Sequence, residues 1–239
     1  MTKIKTVIVT GSSSGIGRAT CELLLQAGYR VIGIARRPTA IVHAQFTGLC
    51  CDLADLETLP DFLGQLVKDV PHIDALVCNA GRGQFGSLEE FSYEQIRQLM
   101  DINFTSHAYM ARAIVPVMKR QRSGRIVFMG SESALQGSRL GAIYCAGKFA
   151  LRGLAQALRD ECSRSGIQVG IINPGMVRSD FFHDLSFAPG EEDTHAIEVD
   201  DVARSIRFVI ESRQGSVIDE INLSPLKHVV RMVERDQEP

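Results

Sequence analysis

Tyr144 and Lys148 stand four residues apart in Tyr144-Cys145-Ala146-Gly147-Lys148. On a helix, that spacing puts both side chains on one face, a single turn from each other. A phenol with its ordinary pKa of about 10 is a poor proton donor or acceptor near neutrality. A neighbouring ammonium favours the phenolate and lowers that value, and general acid–base work wants a pKa close to the working pH. The pair is therefore a candidate proton-transfer unit. Alone it proves little, because Tyr and Lys at this spacing are more often a solvated helix face. The elements that would have to position it decide the matter.

Near the start of the chain, residues 4–10 (IKTVIVT) form a β-branched, strand-like run. Gly11-Ser12-Ser13-Ser14-Gly15-Ile16-Gly17 follows, and then an amphipathic segment with Ile16, Ala19, Thr20, Leu23, Leu24 and Ala27 at helical spacing, stopped by Gly28. In a strand–glycine turn–helix unit the glycines allow a tight turn and close approach of a ligand. The helix N-terminus presents free N–H groups and partial positive charge to a phosphate. Residues 30–35 (RVIGIA) are a second buried strand, closed by Arg36 and Arg37 and broken by Pro38. At the end of this strand in nucleotide-binding units, an acid binds a free ribose 2′-OH and an Arg accommodates a 2′-phosphate. Here Ala35 and Arg36 occupy the position, which favours NADP over NAD.

Further along, residues 45–50 form a short third strand, followed by Cys51-Asp52-Leu53 and a helix over about 55–68 that carries Pro60 and Gly64. Residues 73–78 (IDALVC) are a fourth strand leading into Asn79-Ala80-Gly81. Residues 92–122 carry one long helical pattern, with Asn103 and His107 on or beside its apolar stripe and Pro116 near its end. Polar residues so placed are more often satisfied core groups than functional ones. Residues 125–130 (RIVFMG) are a fifth strand ending at Ser131; the Tyr144–Lys148 helix runs to about 164; residues 167–172 are a sixth strand, closed by Asn173-Pro174-Gly175. Residues 176–199 have no clean period and are expected to form a partly apolar lid. A helix over 200–213, a seventh strand over 217–223 and a polar tail complete the chain. Strands alternating with helices in this way predict an α/β fold, with a doubly wound, parallel seven-stranded sheet and helices on both faces. No linker or repeat divides the chain, so one domain over residues 1–239 is expected.

Bulk properties narrow the choice. A net charge of −2 gives no reason to expect nucleic acid or an anionic membrane as partner. No apolar run is long enough to span a bilayer, and the first residues lack the pattern of a signal peptide. Six scattered cysteines without a C-x-x-C read as reduced, mostly buried thiols of a cytoplasmic protein, and no His pair has zinc-site spacing.

Taken together, these residues resemble the short-chain dehydrogenase/reductase family over nearly the whole chain. Thr10-Gly11-x-x-x-Gly15-x-Gly17 matches its TGxxxGxG turn, and Asn79-Ala80-Gly81 its NAG motif. Asn103, Ser131, Tyr144 and Lys148 match its four catalytic positions, with Ser131 thirteen residues before Tyr144. Asn173-Pro174-Gly175, with Val177 and Ser179, resembles the segment near the nicotinamide, Ser179 replacing the usual Thr. There are departures: Gly147 replaces a common Ser, Ser14 replaces a basic residue often found in NADP-preferring members, and Ile221-Asn222-Leu223-Ser224 replaces the common V-D-G-G ending.

The resemblance implies a Rossmann-type fold and an NADP(H)-linked oxidoreductase acting on a small carbonyl or alcohol. The cofactor would lie against Gly11, Ser13, Ser14, Gly15, Ile16 and Gly17, with Arg36 and Arg37 at the 2′-phosphate and Asp52 and Leu53 at the adenine. Asn79, Ala80, Gly81, Tyr144, Lys148, Pro174, Gly175, Val177 and Ser179 would hold the rest. Ser131 would bind the substrate oxygen and Tyr144 would protonate it. Lys148 would hold the ribose and depress the Tyr144 pKa, and Asn103 would position a water. Two other readings use the same fold: an NAD-linked alcohol dehydrogenase and a nucleotide-binding regulatory or scaffold protein. Phe181, Phe182 and Phe187 are candidates for an apolar pocket cover, and Arg139 or Arg178 for a substrate carboxylate. The helices over 92–122 and 143–164 resemble a pair that joins subunits in many members, so a homodimer or homotetramer is expected.

Overall fold

The computed structural model describes residues 5–233. Ile4 and the end of the expected polar tail therefore lie outside the described residues. In chain order the elements are β1 (Thr6–Thr10), α1 (Gly15–Gln26), β2 (Arg30–Ala35), β3 (Phe46–Cys50), α2 (Leu59–Asp69), β4 (Ala75–Cys78), α3 (Tyr93–Met100), α4 (Ser106–Gln121), β5 (Gly124–Met129) and α5 (Ala142–Ser163). Then come β6 (Ile167–Pro174), β7 (Val177–Arg178), β8 (Phe187–Pro189), β9 (Ile197–Glu198), α6 (Val199–Glu211), β10 (Glu220–Leu223) and β11 (Val230–Met232).

Seven strands form one sheet in the order β10-β6-β5-β4-β1-β2-β3, and every pairing in it is parallel. The order reverses between β1 and β4, the switch point at which open α/β sheets bind ligands. Strand period places alternate residues on opposite faces. On β1, Val7 and Val9 join a core with Leu24 of α1 and Ile206 of α6, while Ile8 joins a second core with Leu63 of α2, Ile114 of α4 and Leu151 of α5. A sheet buried on both faces needs near-continuous apolar strands, which is what β1, β4 and β6 supply. Each fully buried Ile, Leu or Phe contributes roughly 1.5–3 kcal/mol.

Several boundaries differ from expectation. The helix expected over 55–68 starts at Leu59. Before it, the Asp55 carboxylate accepts bonds from the Thr58 hydroxyl at 2.7 Å and the Thr58 and Glu57 N–H groups. Pro60 falls in the first turn, where a missing N–H is harmless, and so marks the start of the helix. The pattern over 92–122 is two helices, α3 and α4, joined by a π-helical turn at Asp101–Thr105. The seventh strand begins at Glu220 rather than at residue 217, and side chains hold part of the turn before it. Gln168 Nε2 donates to Arg213 O, Gln214 O and Ser216 O, and Arg159 donates to Asp219 O. Residues 176–199 contain three short strands, and the expected polar tail contains β11, which pairs antiparallel with β8. Cys21, Cys78, Cys145 and Cys162 are buried, Cys50 is exposed, and all six cysteines are free. Among the described residues, no helix is long and apolar enough to cross a membrane, and no cluster of metal-ligating side chains occurs.

Candidate active site

Main-chain geometry builds one end of the site. Gly11 has φ +71°, and a Cβ there would meet Asn79 Nδ2 at 2.8 Å. A Cβ at Gly17 would lie 2.1 Å from Gly11 O, so only glycine lets α1 lie this close to the end of β1. Thr10 ties the β1 end to the β4 end. Its hydroxyl accepts from Asn79 N at 2.9 Å and Ala80 N at 3.0 Å, while Asn79 Nδ2 donates to Thr10 O at 2.9 Å. Ser14 stands before α1 in extended conformation with no side-chain cap bond, which leaves the first-turn N–H groups beside the cleft.

That cleft, of about 1780 Å³, runs along the C-terminal ends of the strands. Gly11, Ser13, Ser14, Gly15 and Ile16 line one end, with Arg36, Arg37, Asp52 and Leu53 beside them. Asn79, Ala80, Gly81 and Asn103 line the middle, and Ser131, Tyr144, Lys148, Pro174, Gly175, Val177 and Ser179 the rest. Of the residues singled out in the sequence for cofactor or catalysis, Gly17 alone does not line it, because it packs on Gly11. Arg139 reaches the cleft, but Arg178 does not. Arg178 Nε donates to Glu198 Oε1 at 3.0 Å and its Nη2 to Glu192 O at 3.1 Å, so its charge is already met.

Tyr144 and Lys148 leave the same face of α5, both almost fully buried. Lys148 Nζ lies 5.7 Å from the centre of the Tyr144 ring and donates to Met129 O at 2.9 Å. Burial lowers the Lys148 ammonium to about 8. Burial also pushes the Tyr144 phenol above its ordinary value, and contact with the Ser131 hydroxyl opposes this only in part. The expected depression of the Tyr144 pKa by Lys148 is not found in the free protein, where desolvation of the phenolate dominates.

Asn103 and His107 are both fully buried, and both hold the loop after β4. Asn103 sits in the π turn; its Nδ2 donates to Arg82 O at 2.9 Å and its Oδ1 accepts from Arg82 N at 3.1 Å. His107 Nε2 lies 2.8 Å from Ala80 O. A carbonyl only accepts, so Nε2 carries the proton. Desolvation, with the Lys148 charge adding to it, lowers His107 to about 3 and keeps the ring neutral.

Rings close the other end. Phe85 lies 5.1 Å from Tyr144 and 5.0 Å from Phe187; Phe181 lies 6.0 Å from Tyr144 and 5.2 Å from Phe182; Phe182 lies 5.8 Å from Phe187. The five centroids form a closed circuit. Phe85 has no sequence signal, being a lone aromatic in a polar loop. Val230 and Met232 of the tail, also missed, line the same end.

A doubly wound sheet with a glycine turn at its switch point, and a Tyr–Lys pair facing it from a helix, defines a dinucleotide-binding class with proton-transfer groups at the cofactor site. Residues 5–188 match the family model for short chain dehydrogenases. The chain belongs to that family of oxidoreductases, and it has the family's Rossmann fold. A 3-oxoacyl-(acyl-carrier-protein) reductase of Haemophilus influenzae is 30% identical over 229 residues, which cover 89% of this chain and 93% of that one. Among solved structures, a short-chain dehydrogenase from Streptomyces avermitilis superposes with a TM-score of 0.82 at 27% identity, covering 93% of this chain and 89% of that one. A metagenomic short-chain oxidoreductase in complex with NADP superposes at 0.77 with 25% identity, covering 92% and 96%.

Proposed function

We propose that the protein is an NADP(H)-dependent oxidoreductase interconverting a carbonyl and the matching secondary alcohol of a small molecule. The observation that carries this is the burial of Tyr144 and Lys148 together, beside Ser131, at the cleft edge of the switch point. The cleft fits a dinucleotide: close strand–helix packing at Gly11 and Gly17 leaves main chain free to approach a pyrophosphate, and the uncapped start of α1 favours negative charge.

When bound, the nicotinamide supplies the hydride that reduces the carbonyl carbon. Ser131 donates a hydrogen bond to the carbonyl oxygen and sets its orientation. Tyr144, kept protonated by burial, gives its proton to that oxygen as charge develops there. The O–H bond of Tyr144 breaks, the alcohol O–H forms, and the phenolate left behind is stabilised by the nearby Lys148 charge. A lysine lowered to about 8 can return a proton near neutral pH. Asn103, engaged at both ends by the Arg82 main chain, holds the loop that carries Asn79, Ala80 and Gly81.

The NADP preference rests on Arg36 and Arg37, both exposed on the cleft rim directly after β2, with no carboxylate at position 35. The similar NADP-bound metagenomic oxidoreductase supports it. Thermal unfolding with NADPH or NADH tests it. A ligand at a hundred times its Kd stabilises by about 2.7 kcal/mol, and each kcal/mol moves Tm by about 2–4 °C at this size. NADPH should shift Tm more than NADH at equal concentration, and Arg36→Ala should weaken NADPH about tenfold with little effect on NADH. A larger shift with NADH would make this an NAD enzyme.

A further inference from the structure

We propose that the substrate end of the cleft takes an uncharged ketone bearing a bulky apolar group, aryl or long alkyl, and that strand β11 supplies the wall that selects it. This rests on the oxidoreductase reading above and names its substrate class.

Phe85 and Phe181 contact Tyr144, and Phe182 and Phe187 complete the circuit behind them, yet all four phenylalanines are only half-buried and belong to neither core. Their rings contact one another and face the cleft. An apolar group placed against Tyr144 would remove this surface from water, which is the largest non-directional gain open to a ligand here.

The tail extends the same surface. In the β8–β11 pair, Met232 is directly opposite Phe187 and Val230 opposite Pro189, while Arg231 is opposite Ala188. Opposed residues share a face and alternate residues change face. So Val230 and Met232 line the cleft with Phe187, and Arg231 is turned to Glu191 at 3.3 Å. Met232 is 76% exposed, and with Val230 and Phe187 it extends the open apolar surface of this end. A flexible thioether suits an apolar group of irregular shape. The tail is fastened to the lid: Lys227 N donates to Thr194 O, Gly190 N to Val229 O and Val233 N to Ser186 O, each within 2.9 Å.

The charges that the lid and tail bring to this end are paired with one another or acidic. His228 meets Glu132 at 3.4 Å, Lys227 meets Glu192 at 3.7 Å, and Asp180 and Asp184 line the same end. Arg82 and Arg139 line the cleft without an acidic partner among the described residues, which makes a 2-oxo acid the competing substrate.

The test is NADPH-dependent reduction of methyl ketones from 2-butanone to 2-decanone, of 1-tetralone, and of 2-oxooctanoate. The expected kcat/KM rises about fourfold per methylene until the wall is covered, and 2-oxooctanoate falls below the neutral ketone of equal length. Met232→Ser should lower the decanone-to-butanone ratio at least tenfold, with Met232→Leu restoring it. The Tm shift given by NADPH reports that each variant is folded, and Phe187→Leu is the second variant should Met232→Ser fail. Occupancy is read without turnover from the Tm of NADPH-loaded Tyr144→Phe protein, raised more by 2-decanone than by 2-butanone. Equal stabilisation by the two ketones, or preference for the oxo acid, overturns the substrate class. An unchanged ratio in Met232→Ser overturns the role of β11. Size-dependent stabilisation with no turnover of any carbonyl by the wild type upholds the apolar site and overturns the oxidoreductase reading instead.

Discussion

At the β1–β4 end of the cleft, Thr10, Asn79, Asn103 and His107 hold the main chain through short, directional hydrogen bonds between segments 21 to 70 residues apart in sequence. At the other end, Phe85, Phe181, Phe182 and Phe187 hold one another through ring contacts, and the ladders of the 176–199 segment that carries three of them are only two or three residues long. Hydrogen bonds between buried groups fix position to tenths of an ångström and are costly to leave unmade. Ring contacts gain mainly from non-directional burial of apolar surface, and their preference for edge-to-face geometry is worth only about 0.5–1.5 kcal/mol per pair, so they tolerate more displacement. One end is therefore suited to a ligand of fixed shape, and the other to a ligand whose shape varies. Tyr144 stands between them, in contact with the rings on one side and with Ser131 on the other.

The largest expected effect lies at that junction. Tyr144→Phe removes a proton donor and no packing volume. Turnover should drop by about 10²–10⁴-fold, while the Tm shift given by NADPH persists. Loss of both together would mean that Tyr144 belongs to the rigid end alone. Next comes Gly17→Ala, which strikes the rigid end directly. The added methyl would overlap the Gly11 carbonyl, and main chain cannot swing aside as a side chain can. Overpacking of this kind costs about 1–3 kcal/mol, and the stabilisation by NADPH should be lost. Retention of full NADPH stabilisation in that variant would show that the close packing is not needed for the cofactor.

A pH-dependent effect also separates the ends. His107 falls from an ordinary 6.5 to about 3 in the folded protein because it is buried. Below pH 6.5 the unfolded chain takes up a proton that the folded protein refuses. Stability is thus fully present above pH 6.5 and is lost progressively as pH falls toward 3. The slope from this one group approaches about 1.4 kcal/mol per pH unit. His107→Gln keeps a donor for Ala80 O without a titrating ring. Its unfolding free energy, measured by urea denaturation between pH 6.5 and 4, should fall less steeply than that of the wild type. Parallel slopes would remove His107 as the acid-sensitive point of the rigid end.

How much could be read in advance differs along the same divide. The central strands β1, β2, β4, β5 and β6 are near-continuous apolar runs, and Gly11, Gly15 and Gly17 announce the turn between β1 and α1 by residue type. Tyr144 and Lys148 are tied by helical spacing. The π turn at Asp101–Thr105 is hidden because the apolar stripe on either side of it keeps a 3.6 period, and one widened turn shifts that period too little to notice. Leu59 rather than Asp55 starts α2 because Asp55 spends its carboxylate on a turn with Thr58. Phe85 carries no pattern, and the three-residue strand β11 is shorter than any period can declare.

By itself, the sequence determined the alternation of strands and helices, the glycine turn, and the order of Asn103, Ser131, Tyr144 and Lys148. Each of these is written in residue types and spacings that act over a few positions. The tertiary structure alone decided that Asn103 and His107 brace the loop after β4, that burial sets Tyr144 and Lys148 to opposite sides of their ordinary values, and that the tail returns over the cleft to face Phe187. Those outcomes depend on desolvation and on contacts between segments distant in the chain, and no local pattern encodes either one.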